Sequence, residues 1–145
     1  MMKREIFRII DANLNRSREG LRVCEEMARF ILNSKPLTTE FKSIRHKISE
    51  EARRIEKVSG VLFDSRNSEE DVGRASKLPG GISRIDAGDI FTANLERTKE
   101  GLRVLEEFAK LFDKKVSARF SELRFKVYDI ESRCASKVKR LRNFK

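Results

Sequence analysis

Two stretches of this chain are nearly the same sequence, and that repetition limits what it can fold into. Ala12–Ala28, ANLNRSREGLRVCEEMA, aligns without a gap on Ala93–Ala109, ANLERTKEGLRVLEEFA, with 12 of 17 positions identical. Unrelated segments of ordinary composition share roughly one such position. The similarity resumes more weakly in Phe41–Ile48 (FKSIRHKI) and Phe120–Val127 (FSELRFKV). The repeating unit is therefore a pair of segments, and the chain consists of two copies of it.

Each segment has the period of a helix. Ile6, Ile9, Ile10, Leu14, Leu21, Cys24, Ala28 and Ile31 recur at steps of three and four, tracing one helical face. Pro36 ends this first helix, and a second amphipathic stretch runs from about Thr38 to Lys57. Asp89 is the expected N-cap of a third helix reaching about Phe112. A fourth starts near Lys114 and uses Phe120, Leu123, Val127, Ile130 and Cys134. The expectation is an all-α, antiparallel helical bundle of two repeated long hairpins with an irregular central loop. Residues 1–145 form a single helical domain: repeat 1 about 3–58, the connection about 59–88, repeat 2 about 89–140.

Composition narrows the function. No apolar run approaches the roughly 20 residues of a membrane span, and MMKREIFRII is not a signal peptide, so a cytoplasmic location is expected. Cys24 and Cys134 lie on apolar stripes and read as buried small hydrophobes, without zinc-ligand spacing. The net charge of +10 is unevenly spread. Residues 114–145 hold eleven Lys/Arg against three Asp/Glu, and the first 113 hold the remaining 22 against 20. The basicity belongs to the last helix and the tail KVKRLRNFK, either as a solvated face or as a polyanion contact.

Polar residues on the apolar arc stand out. Asn13 and Ser17 fall inside the arc of helix 1, and Asn94 and Thr98 occupy the same places in helix 3. They either form a satisfied buried pair that fixes register or face a ligand cavity. Gly20 and Gly101 sit in mid-helix, where glycine costs roughly 1 kcal/mol relative to alanine. The close approach of another helix, or of a ligand, would compensate. Arg18, Arg22 and Glu25 reappear as Lys99, Arg103 and Glu106; exposed pairing such as Arg22 with Glu26 accounts for part of this pattern, but Arg18 and Glu25 border the arc, and Arg45 and Arg124 on the partner helices are candidates to point inward. Such charges rimming a groove suit a phosphorylated ligand and its metal. His46, whose counterpart is Phe125, reads as a packed ring. The unrepeated connection carries Asp64, Arg66, Asp71 and Arg74 beside glycines, the residue types a loop over phosphate or Mg²⁺ needs.

The DANLNRSREGLRVCEE run, the step Ile44-Arg45-His46, the SR…DVG loop and the returning ANLERTKEGLRVLEE…LRFKVYDIE together resemble a known domain. It is found at the N-terminus of fused thiamine-phosphate synthases and as a stand-alone hydroxymethylpyrimidine phosphate kinase-like protein. The resemblance spans about Phe7 to Glu131. It implies ATP-dependent phosphorylation of 4-amino-5-hydroxymethyl-2-methylpyrimidine phosphate to the diphosphate, with ATP and Mg²⁺ as cofactors. Arg66, Asp71 and Arg18 are then expected in catalysis. Asn13, Ser17, Arg22, Asn94, Thr98, Lys99, Arg103 and Arg45 are expected to bind pyrimidine phosphate and nucleotide, and Asp71, Glu25 and Glu106 to hold metal. The expected assembly is a homodimer. Two rival readings are a basic helical nucleic-acid-binding module and a non-catalytic dimerisation or adaptor bundle. The former has no recognised motif, and the charge of the fourth helix is expected not to be interleaved with exposed aromatics.

Overall fold

The computed structural model describes residues 3–60, 72–73 and 83–145. Five helices follow in order: α1 (Arg4–Phe30), α2 (Lys35–Ser59), α3 (Ala87–Ala109), α4 (Lys114–Arg133) and α5 (Ala135–Leu141). The expected all-α class is borne out. At 1.5 Å per residue the 27 residues of α1 reach about 40 Å.

Local chemistry sets the helix ends. Asn33 takes the left-handed conformation (φ 50°) in the turn 31–34, which asparagine tolerates better than most residues. Ser34 then caps α2 by accepting the Leu37 N–H at 3.3 Å. Pro36 does not terminate α1, which stops at Phe30; it sits in the first turn of α2, where its missing N–H costs nothing. The equivalent turn 110–113 ends in Asp113, which accepts the N–H groups of Lys115 (2.9 Å) and Val116 (3.3 Å). Asp113→Ala should therefore lower stability by about 1 kcal/mol, measurable as a shifted urea midpoint.

The cap of α3 differs from expectation. Asp86 is the N-cap, accepting the Asp89 N–H at 3.0 Å, while Asp89 reaches back to the Ile85 N–H at 3.0 Å. This is a reciprocal cap built from two aspartates. The chain's end fastens it: the Ala87 N–H donates to the Phe144 carbonyl at 2.8 Å, and Arg142 pairs with Asp86 (2.9 Å) and with Asp89. The Arg142 guanidinium holds the Asp89 carboxyl below its ordinary range. One arginine of the basic tail is thus committed inside the molecule. The fourth helix also ends earlier than expected, breaking at Cys134 before the short α5.

α1 and α3 form the central seam and run antiparallel. Gly20 faces Asn94 and Thr98, while Gly101 faces Asn13 and Ser17. These contacts exchange under the repeat's own offset, so the seam is related to itself by a near-twofold passing beside Ser17 and Thr98. α2 packs on α1, α4 on α3, and α2 meets α4 more thinly to close the ring. The pairs Arg133–Glu40 and Arg119–Glu51, both 2.6 Å, bridge this last side. Phe41 and Phe91 meet edge-on across the interior with centroids 6.0 Å apart. They are joined by the fully buried Ile10, Leu14, Leu21, Ile48, Leu95, Leu102 and Phe120. Both cysteines are buried and free, and burial raises the pKa of the Cys24 thiol. Among the described residues no helix is long and apolar enough to cross a membrane.

Candidate functional site

The structure divides the expected site residues into two groups. The first lies in the α1–α3 seam. Ser17 and Thr98 are fully buried, and Thr98 Oγ1 donates to the Asn94 carbonyl at 2.8 Å. Asn13 and Asn94 each spend an amide N–H on the carbonyl four residues back, Ile9 and Ile90, both at 2.8 Å. The seam hydroxyls thus face the neighbouring helix, and it is a helix that fills the space left by each glycine.

The second group forms two copies of one arrangement. On the α1–α2 flank Glu25 is buried, and its carboxylate accepts from Arg45 Nε at 3.0 Å and from Arg22 at 3.4 Å. On the α3–α4 flank the buried Glu106 accepts from Arg103 at 2.6 Å and from Arg124 at 3.1 Å. Burial opposes the charge of Glu106, but the Ser121 hydrogen bond and the two arginines outweigh it, leaving its carboxyl below the ordinary value. Each arrangement places two guanidinium groups from two helices on one carboxylate, which fixes their direction. Because α1 and α3 share one side of the ring and α2 and α4 the opposite one, these two clusters lie on opposite flanks of the bundle. They do not line a common cleft.

One turn further along, the copies diverge. Arg18 donates to Ser49 Oγ (3.3 Å) and Asn15 Oδ1 (3.1 Å). Its counterpart Lys99 is gripped by both oxygens of Glu131 at 2.9 Å and by Glu96. These two acids outweigh burial and hold the Lys99 ammonium above its ordinary range. Lys99 Nζ also lies 4.7 Å from the centre of the Tyr128 ring.

The expected metal ligands are not assembled among the described residues. Glu25 and Glu106 are engaged by arginines, and no group of three or more Asp, Glu, His or Cys comes together there. Arg66 and Asp71, expected in catalysis, lie outside the described residues, as do Asp64 and Arg74. Two expectations are corrected. His46 is exposed rather than packed, because its position lies off the buried stripe of α2. Exposed aromatics do interleave with the charge of α4: Phe125 is 60% and Tyr128 42% accessible. The signal for them was present, since both fall outside the stripe Phe120, Leu123, Val127, Ile130.

Residues 8–133 match the family model described as the ThiD2 family. The chain belongs to the ThiD2 family. Among curated relatives, it is 39% identical over 125 residues to a thiamine-phosphate synthase of Rhodopirellula baltica, covering 86% of this chain and 33% of that one. It is 40% identical over 127 residues to a thiamine-phosphate synthase of Synechocystis, with 88% and 35% covered, and 38% identical over 124 residues to one from Thermosynechococcus vestitus, with 86% and 34% covered. The chain thus spans about a third of the length of the curated relatives it matches. No solved structure matches it. The ThiD2 match takes in α1 to α4 with both arginine–glutamate clusters, and it stops at Arg133, before α5 and the Arg142 contact with Asp86 and Asp89.

Proposed function

We propose that this ThiD2-family chain works in thiamine biosynthesis as a kinase. It would transfer the γ-phosphoryl group of ATP to 4-amino-5-hydroxymethyl-2-methylpyrimidine phosphate. A phosphate oxygen of the pyrimidine attacks the γ-phosphorus, the bond to the β,γ-bridging oxygen breaks, ADP leaves and the pyrimidine diphosphate forms.

The observation that carries this reading is the family match over residues 8–133; the arginine–glutamate clusters support it. Phosphoryl transfer demands positioning and charge neutralisation more than covalent chemistry. Arginines already aimed by a buried carboxylate supply both with little reorganisation. Arg22 and Arg103 are each 54% accessible at the side chain, which leaves donors free to meet phosphate oxygens. Arg18 and Arg45 extend the α1–α2 surface, whereas Lys99 is buried between Glu96 and Glu131. Arg66 and Asp71 keep the catalytic roles that the family resemblance gives them, Asp71 that of metal ligand as well. Asn13, Ser17, Asn94 and Thr98 serve register rather than ligand contact in this reading.

Incubating the protein with Mg·ATP and the pyrimidine monophosphate should yield ADP and the pyrimidine diphosphate. Arg22→Ala or Arg103→Ala, depending on which flank carries the reaction, should lower kcat/KM about a hundredfold without changing the helical circular dichroism. A folded wild-type protein that makes no diphosphate would sink the kinase reading, and two fully active variants would remove the arginines from it.

A further inference from the structure

The two flanks share their arginine–glutamate arrangement but differ in what lies beside it. On the α3–α4 flank the Phe125 and Tyr128 rings stand 6.1 Å apart, tilted by 43°. The Arg124 guanidinium lies 4.9 Å from the centre of Phe125 and 5.8 Å from that of Tyr128. Neither ring is needed by the core, yet both present large apolar area to solvent. At the same places the α1–α2 flank has His46 and Ser49. The ring pair is therefore something the second copy has and the first does not.

We infer that the Phe125–Tyr128 ledge is a stacking site for a planar nitrogen heterocycle. This inference rests on the kinase reading, whose two substrates both carry such a ring. Aromatic side chains backed by a guanidinium hold flat bases by their faces, largely independent of sequence. The charge around the ledge selects for the ring. Lys99, Arg103 and Arg124 are matched by Glu96, Glu106, Glu107 and Glu131. A near-neutral patch accepts an uncharged base and offers a polyanionic strand little net attraction. Arg103, at the edge of the ledge, is the exposed cation to which an attached phosphate would run.

The test replaces each ring by its counterpart from the other repeat, Phe125→His and Tyr128→Ser, at exposed positions. Affinities for ATP and for the aminopyrimidine monophosphate are measured separately by calorimetry. One of them should weaken about tenfold or more, which identifies the ring that stacks. Because Tyr128 is the only tyrosine, NMR of tyrosine-labelled protein should show its ring signals shifting with that ligand and not with inorganic triphosphate. Unchanged affinities and unmoved Tyr128 signals would overturn the ledge while leaving any measured turnover intact. Ring-dependent binding in a protein that never makes diphosphate would keep the ledge and remove the kinase. Tighter binding of single-stranded RNA than of either small ligand, lost in the same variants, would also overturn it, in favour of a strand-binding surface.

Discussion

Gly20→Ala should destabilise the folded chain by about 2 kcal/mol or more, although alanine is the better helix former by roughly 1 kcal/mol. A Cβ at position 20 would stand 2.5 Å from Thr98 Oγ1 and 2.7 Å from the Asn94 carbonyl oxygen. The second contact is backbone and cannot rotate away, so α1 and α3 must separate and loosen the apolar contacts on either side. Gly101→Ala is the informative comparison. Its new Cβ meets mainly the Ser17 hydroxyl, with the Asn13 carbonyl oxygen at 3.3 Å. Removing that hydroxyl should relieve most of the strain, so Ser17→Ala with Gly101→Ala should lie close to wild type. Thr98→Ala should not rescue Gly20→Ala, because the Asn94 oxygen remains. Urea titrations of the two double-mutant cycles check this, and equal rescue at both sites would overturn the account of the seam.

Glu106→Ala should cost about 3–5 kcal/mol, since it leaves the largely buried Arg124 without its counter-charge. Replacing both by apolar residues of similar size, Glu106→Leu with Arg124→Met, should recover most of that loss. The deficit should also depend on pH in a defined direction. The folded-state carboxyl lies below its ordinary value of 4.5. Its contribution is therefore fully present above that value and is lost as the pH falls through the lower, folded-state one. The gap in urea midpoint between wild type and Glu106→Ala should be widest near neutrality and should shrink in acid. A gap that grows on acidification would contradict the ion-pair geometry.

Much of this architecture is legible in the sequence. The periodicity of Ile10, Leu14, Leu21 and Leu95, Leu102, Leu105 fixes which faces are buried, because burying an apolar stripe is the largest favourable contribution available to an amphipathic helix. The duplicated polar pair and the mid-helix glycines were visible as exceptions. Their direction was not: the seam and the hairpin groove lie on adjacent faces of α1, and only the tertiary neighbour decides which of them a given side chain meets. For the same reason the arginine partners of Glu25 and Glu106 were not legible, since Arg45 and Arg124 come from helices about 20 residues away. The cap of α3 failed on a finer point. Asp86 and Asp89 fit the N-cap equally well by type, and the choice depends on Arg142, more than 50 residues further on. The break at Cys134 has neither proline nor glycine to announce it.

The antiparallel packing of α1 on both α2 and α3 makes α2 and α3 run in the same direction. The end of α2 and the start of α3 therefore stand at opposite ends of a bundle on the order of 35 Å long. Extended chain covers about 3.3 Å per residue, so roughly eleven residues are the shortest tether that lets the two hairpins close on one another. The connection from Gly60 to Asp86 is 27 residues, more than twice that length. Deletion has a floor set by reach alone: trimming to that floor should leave the helical core assembled, and going below it should force the second hairpin to pair with another chain's first.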